Sequence, residues 1–226
     1  MLGRTRQAVD QKASSNPAYL PLRWLALVVL IVSALLIISV RARLFDFPLE
    51  RDEGEYAYLG QLILGGFPPY ELASNMKMPG IYLAYAAIMA VFGQTAAGIH
   101  LGLLLVHLMT LGILFLVARH FLDLYGAAIA VIAYGMMILS PSYLGLAGHA
   151  THFVVLPALA GTWILLKKNG RLSACFVAGF LFGIAFLMKQ TGAIFGCWGG
   201  IYLIWTAIAE RTGWRRIFAR AAIYSA

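Results

Sequence analysis

The 226-residue chain is 62% hydrophobic and only 12% charged, with a mean hydropathy of +0.82. That leaves too little polar surface for an ordinary soluble domain, a disordered tail or a fibrous repeat, and implies a membrane protein with several spans. The net charge of +8 does not point to nucleic acid, because most of the basic residues flank apolar runs and read as topology determinants. Cys175 and Cys197 lie inside apolar segments without C-x-x-C spacing, which indicates neither a disulfide framework nor a zinc knuckle.

Residues 1–23 are polar and carry Arg4, Arg6, Lys12 and Arg23 against Asp10. They read as a cytoplasmic tail. Trp24 to Val40 is an apolar run followed by Arg41-Ala-Arg43, with no small-residue cleavage site, so it reads as an uncleaved anchor. Further apolar runs cover 79–92, 99–118, 124–141, 153–166, 172–188 and 191–208. If all of them crossed, Arg119, the Lys167/Lys168/Arg171 cluster and the Arg211/Arg215/Arg216/Arg220 cluster would fall opposite the tail. If 79–92 does not cross, these all share the side of the tail, and Arg41, Arg43, Arg51, Lys77 and Lys189 remain outside. The second arrangement obeys the positive-inside rule, and 79–92 is short of the ~17–25 residues a span needs.

The expected fold is therefore an all-α polytopic membrane protein with about six transmembrane helices within 24–208. The outer loop, 43–98, holds two surface-lying helices, one of them 79–92. Residues 209–226 read as a basic cytoplasmic loop leading into a further, truncated span. Gly192, Gly196 and Gly200 recur every four residues, and Gly179 and Gly183 form G-x-x-x-G, spacings that let helices approach closely in lipid.

Of the nine acidic residues, Asp46, Glu50, Asp52, Glu53, Glu55 and Glu71 all fall in the outer loop, a concentration that suggests chemistry there. Tyr56, Leu59 and Ile63 sit at helical spacing and Gly65-Gly66 offers a stop, predicting a short amphipathic helix from near Asp52. Asp52 with Glu55 fits a capping box; the competing reading of Asp52 is a catalytic carboxylate. Phe67 to Gly80 contains Pro68, Pro69 and Pro79 and reads as a loop of fixed shape. Lys77 in that loop is either a lysine snorkelling to headgroups or a cation for an interfacial phosphate.

An apolar anchor, then Arg51-Asp-Glu-Gly-Glu-Tyr56, then Lys77-Met-Pro-Gly-Ile-Tyr82 resembles the GT-C membrane glycosyltransferases. The nearest branch is the bacterial one that includes lipid A aminoarabinose transferases, galacturonosyl transferases and relatives of protein O-mannosyltransferases. The resemblance spans about residues 20–210. It implies transfer of a sugar from a polyprenyl-phosphate carrier to an envelope glycolipid, lipopolysaccharide or protein hydroxyl, usually with inversion, at the periplasmic face of the bacterial inner membrane. It implies no cofactor, and no nucleic-acid partner is expected. Asp52 then takes the role of base or acceptor-positioning group, with Glu53 beside it as a second candidate catalytic acid, Tyr56 as a substrate contact and Lys77 near the carrier phosphate. Inverting transfer is a single displacement: one carboxylate takes the proton of the attacking hydroxyl, and a fixed cation stabilises the departing phosphate. Lys189, at the outer end of the 172–188 run, is the other candidate for that cation.

The chain departs from the family pattern at Met76-Lys77-Met78-Pro79, where many members have an acid before Lys-Pro-Pro. It also lacks an acid in the second outer loop, Ser140 to His152. His149 and His152 stand there instead. Three apart, they read as an acceptor or carrier contact, as polar packing, or as half of a metal site; a metal site needs a third ligand, and none is evident nearby in sequence, so no residue is assigned to a metal. Family members are usually much longer, so the chain is expected to be an N-terminal piece holding the donor-side catalytic loop. The alternative function is a polytopic transporter or lipid flippase. Those proteins carry ionisable groups near the midplane, whereas the span interiors here hold little besides His107, read as a packed polar residue.

Overall fold

Pro21 opens and Arg41 closes α1 (Leu20–Ala42), the helix formed by the first apolar run. The computed structural model describes residues 20–225 apart from 74, 169–170 and 211–212. The tail charges Arg4, Arg6 and Lys12, and Arg211, thus lie outside the described residues. The remaining helices are α2 (Arg51–Leu64), α3 (Pro79–Phe92), α4 (Ala96–Phe121), α5 (Leu124–Met137), α6 (Ala150–Lys167), α7 (Leu172–Met188), α8 (Ala193–Ala209) and α9 (Trp214–Ser225), with 3-10 turns at Pro141–Tyr143 and Gln190–Gly192. Among the described residues there is no strand. The protein is an all-α polytopic membrane protein. Trp24, Val28, Ile31, Val32 and Leu35 stand exposed along α1, a face that only lipid accommodates without aggregation.

Among the described residues, four segments are long and apolar enough to cross a bilayer: Trp24–Ala42, Ala96–Phe121, Ala150–Lys167 and Gln190–Ala209. The 124–141 run does not form one helix. It stops at Met137, because Pro141 lacks an N–H for a continuing helix and disfavours helical backbone at Ser140. Leu144 then turns back with φ 52°. At ~1.5 Å per residue, α5 is about 21 Å long and α7 about 26 Å, each below the ~30 Å hydrocarbon thickness. Side-chain oxygens of Thr95 and Asp123 cap α4 and α5, accepting from the amides of Gly98 (3.1 Å) and Gly126 (2.8 Å).

Contacts between ends give the path of the chain. Arg41, near the end of α1, donates to the carbonyls of Ile138, at the end of α5, and Gly145. Phe45 accepts from His100, at the start of α4. Lys189, at the end of α7, donates to Thr151, at the start of α6. The chain therefore arrives at one end of the bundle through α1, stays there through α2 and α3, and leaves by α4. α5 and α7 return to that end; α6 and α8 depart from it. Arg119 and Lys167 lie at the far ends of α4 and α6.

α2 and α3 are fused to the bundle by a core of Tyr56, Leu59, Ile81, Tyr82, Tyr85, Ile99 and Phe153, drawn from α2, α3, α4 and α6. The Tyr56 and Tyr85 rings meet edge-on at 5.3 Å, an arrangement favoured by the ring quadrupoles. α3 is a single 14-residue helix with Ile81, Tyr82 and Tyr85 fully buried.

The glycine spacing is only partly about helix contact. Gly179 abuts the backbone of Tyr224 in α9, and Gly192 abuts that of Ala185, so neither has room for a Cβ. Gly183 and Gly196 face open space, and Gly200 meets only the edge of Tyr224. The close approach falls instead at Gly199, against Phe182 and Tyr224. Periodicity selects a face, but it does not select the level at which a neighbouring backbone crosses. Both cysteines are free, Cys175 buried and Cys197 exposed.

Candidate active site

The helix that carries the acids starts one residue earlier than Asp52, and its cap is a different pair. Glu50 is the N-cap: its carboxylate accepts from the Asp52 amide (2.8 Å), while the Glu53 carboxylate accepts from the Glu50 amide (3.0 Å). The capping box is thus Glu50/Glu53, not Asp52/Glu55. Both pairs have the right spacing. The choice is made by a tertiary bond, since Glu53 also reaches across the bundle end to accept from the amide of Gly148 (2.5 Å). The shift leaves the Asp52 side chain free for other partners.

Those partners come from three separate stretches. Lys77 Nζ lies 3.3 Å from one Asp52 oxygen and 2.9 Å from Glu55, over the Tyr56 ring at 4.7 Å. His149 Nδ1 lies 3.5 Å from the other Asp52 oxygen, which also accepts from the Tyr56 hydroxyl at 3.5 Å. Arg51 is 3.6 Å away but almost wholly exposed. Partial burial works to raise the Asp52 carboxyl, but the Lys77 ammonium, its hydrogen bond, His149 and Arg51 outweigh it and hold the group below the usual aspartate range. Lys77 responds in mirror image: burial opposes its charge, while Glu55, Tyr56 and Asp52 push its affinity for a proton above the ordinary lysine value.

The Lys77 loop is fastened at several points. Tyr70, in a positive-φ conformation (72°) unusual for a bulky residue, donates its hydroxyl to the Lys77 carbonyl (2.7 Å). Gln190 donates to the carbonyl of Met76 (3.1 Å). Asn75 donates to Glu55 (2.6 Å).

Glu53 stands in a different environment from its neighbour. It is 1% exposed, and its oxygens are taken by the amides of Glu50 and Gly148, with His100 Nε2 at 3.6 Å. Burial raises its carboxyl, but these donors more than compensate and lower it. Tyr85 holds the same Gly148 by its carbonyl (2.7 Å), and a Cβ on Gly148 would strike both Tyr85 and Glu53. Glu53 thus fastens α2 to the loop that delivers His149.

Of the residues singled out in the sequence, the structure brings together Asp52, Lys77, Tyr56 and His149. It does not bring Glu53, His152 or Lys189 into that group. His152 turns to the Leu144 carbonyl (3.2 Å) and packs edge-on against the buried His107 (4.8 Å between rings). Lys189 bonds Thr151, two residues beyond His149. The sequence reading also missed partners. Glu50 lies 3.5 Å from His149 Nε2, and ligand atoms of Glu50, Asp52 and His149 fall within 4.8 Å of one another, close enough to hold a metal ion. The companions that no local spacing showed for His149 stand almost a hundred positions away, in the N-cap and first turn of α2. Glu55 was read only as a capping partner of Asp52, and its pairings with Lys77 and with Asn75 were not. The only signal for them was the local excess of acid around a single lysine. Beside Glu50 opens a cavity of about 500 Å³, walled chiefly by apolar residues such as Leu44, Phe47, Leu144 and Leu146.

A family model described as dolichyl-phosphate-mannose-protein mannosyltransferase matches residues 76–225. The match takes in Lys77, His149 and Lys189 and begins after α2. No curated protein and no solved structure matches the chain.

Proposed function

We propose that this chain, which belongs to the dolichyl-phosphate-mannose-protein mannosyltransferase family, transfers a sugar from a polyprenyl-phosphate carrier at the end of the bundle that holds α2 and α3. Membership makes it a membrane glycosyltransferase. The carrier, the envelope acceptor, the bacterial inner membrane and the periplasmic position of the site are our reading. So are the GT-C assignment and the bacterial envelope-transferase branch, for which Arg51–Tyr56 and Lys77–Tyr82 speak. The basic residues at the far ends of α4 and α6, Arg119 and Lys167, support a cytoplasmic position for those ends. In this reading 24–208 is the membrane domain, 43–98 its periplasmic catalytic loop, and 1–23 and 209–226 cytoplasmic.

The observation that carries the proposal is Asp52 held between a cation and a histidine: Lys77 at 3.3 Å on one oxygen, His149 at 3.5 Å on the other. In the single displacement, the Asp52 carboxylate takes the proton of the acceptor hydroxyl. The hydroxyl oxygen bonds the anomeric carbon as the bond from that carbon to the carrier phosphate breaks. The carrier leaves as a phosphate monoester whose added charge Lys77 stabilises. His149 and Tyr56 orient the acceptor side, the neighbouring cavity gives an apolar part of the acceptor a place, and Lys189 is a second, more distant cation.

The test is Asp52→Asn in the full-length protein, assayed for transfer of labelled sugar from a polyprenyl-phosphate donor. The rate should fall by ~10²–10⁴ with unchanged amounts in the membrane. Activity within a few-fold of wild type rejects Asp52 as the base.

A further inference from the structure

Lys77 faces two carboxylates with a single charge. Its ammonium donates to Glu55 at 2.9 Å and lies farther, 3.3 Å, from Asp52. Glu55 is in turn fixed by Asn75 at 2.6 Å, and Asn75 accepts from the Met76 amide at 2.6 Å, so the pair is built into the loop. Besides Lys77, the basic groups at Asp52 are His149, 3.5 Å from its other oxygen, and Arg51, which has 91% of its side chain in solvent, where charge is heavily screened. A phosphate arriving at Lys77 must share it with Glu55.

We propose that Glu55 is a positioning residue that competes with the carrier phosphate for Lys77 and thereby keeps the spent carrier from binding too tightly. The inference rests on Lys77 being the partner of that phosphate. The chemistry supplies the need. The donor is a phosphodiester with one negative charge, whereas the spent carrier is a monoester with about −1.5 to −2 at neutral pH. A lysine without an opposing acid would hold the product better than the substrate, and transfer would stall on release. A standing carboxylate beside the lysine repels the more highly charged product more strongly and narrows that difference. Glu55 suits this task better than Asp52, because it makes the shorter bond to Lys77 and is anchored by Asn75 away from the His149 side.

The experiment uses full-length protein in nanodiscs, with farnesyl phosphate as a short spent-carrier probe and farnesol as its uncharged control. Glu55→Gln keeps the size of the side chain and removes the charge. It should tighten farnesyl phosphate binding about fivefold, leave farnesol unchanged, and lose part of the gain in high salt. Glu55→Asp, which keeps the charge, should stay near wild type. A merely structural role predicts the opposite sign, so weaker or unchanged phosphate binding in Glu55→Gln overturns the inference while leaving the role of Lys77 intact. If Lys77→Met binds farnesyl phosphate as well as wild type does, the phosphate role of Lys77 falls, and this inference with it.

Discussion

In the cap formed by α2, α3 and the 138–149 loop, the chain is fastened by charged and hydrogen-bonding groups: Glu53 to Gly148, Lys77 to Glu55, and Tyr85 to the Gly148 carbonyl. In the α7–α9 corner it is fastened by small residues. Gly179 and Gly199 let Tyr224 lie against two helices at once, and the Tyr224 hydroxyl reaches the carbonyl of Gly196 (2.6 Å). The first kind of fastening fixes polar side chains to within a hydrogen bond of one another, as a reaction centre requires. The second fixes helix axes through close contact of backbone and ring. Adjacent residues within the cap repeat the contrast. Asp52 keeps some exposure and partners that a substrate can displace, whereas Glu53 is buried and committed to the backbone.

Separating the two acids is the largest test of that contrast. Asp52→Asn should abolish most transfer while leaving thermal unfolding near wild type. Glu53→Gln should reverse the pattern, lowering stability by ~1–3 kcal/mol because a buried acceptor of the Glu50 amide is lost, with transfer retained in the folded fraction. A melt of each variant beside its transfer rate decides the matter. In the other region, Gly179→Leu should cost ~1–3 kcal/mol or more by forcing α9 off α7, while Gly183→Leu, which faces open space, should stay within about 0.5 kcal/mol. Equal losses would mean that the α7–α9 packing is not as described.

A finer test uses pH. Asp52 is held below the ordinary aspartate range, so it is ionised above that lowered value, and in the proposed mechanism it stops serving as the base when pH falls through it. The acid limb of kcat/KM should therefore lie below the ordinary aspartate range, and Lys77→Met should move it to higher pH. An unmoved limb would assign it to another group. The smallest expected effect is that of Lys189→Met, whose bond to Thr151 keeps it from the Asp52 cluster. Its rate loss should be well below that of Lys77→Met.

Much of this organisation was legible in the chain. Apolar runs located the helices, and the length of the 79–92 run already set it apart as a short helix, 14 residues from Pro79 to Phe92. The Asp52 region and Lys77 stood out through motif and composition. The end of α5 at Met137 was not read from the 124–141 run, although Pro141 gives its physical reason. What could not be read were the choices between equal local patterns. Glu50/Glu53 and Asp52/Glu55 share the capping spacing, and only Gly148, brought in from the second loop, selects the first. His149 and His152 look equivalent three residues apart, yet one meets Asp52 and the other His107.

The sequence by itself determined that this is a multi-helix membrane protein with an acid-rich loop and one lysine within it, because burying apolar runs in lipid and keeping charge out of it are local properties of composition and length. The tertiary structure alone decided which acid keeps exposed, displaceable partners and which is a buried fastening, and which glycines carry close contacts. Those outcomes depend on hydrogen bonds and backbone approaches between segments far apart in the chain, which no local spacing encodes.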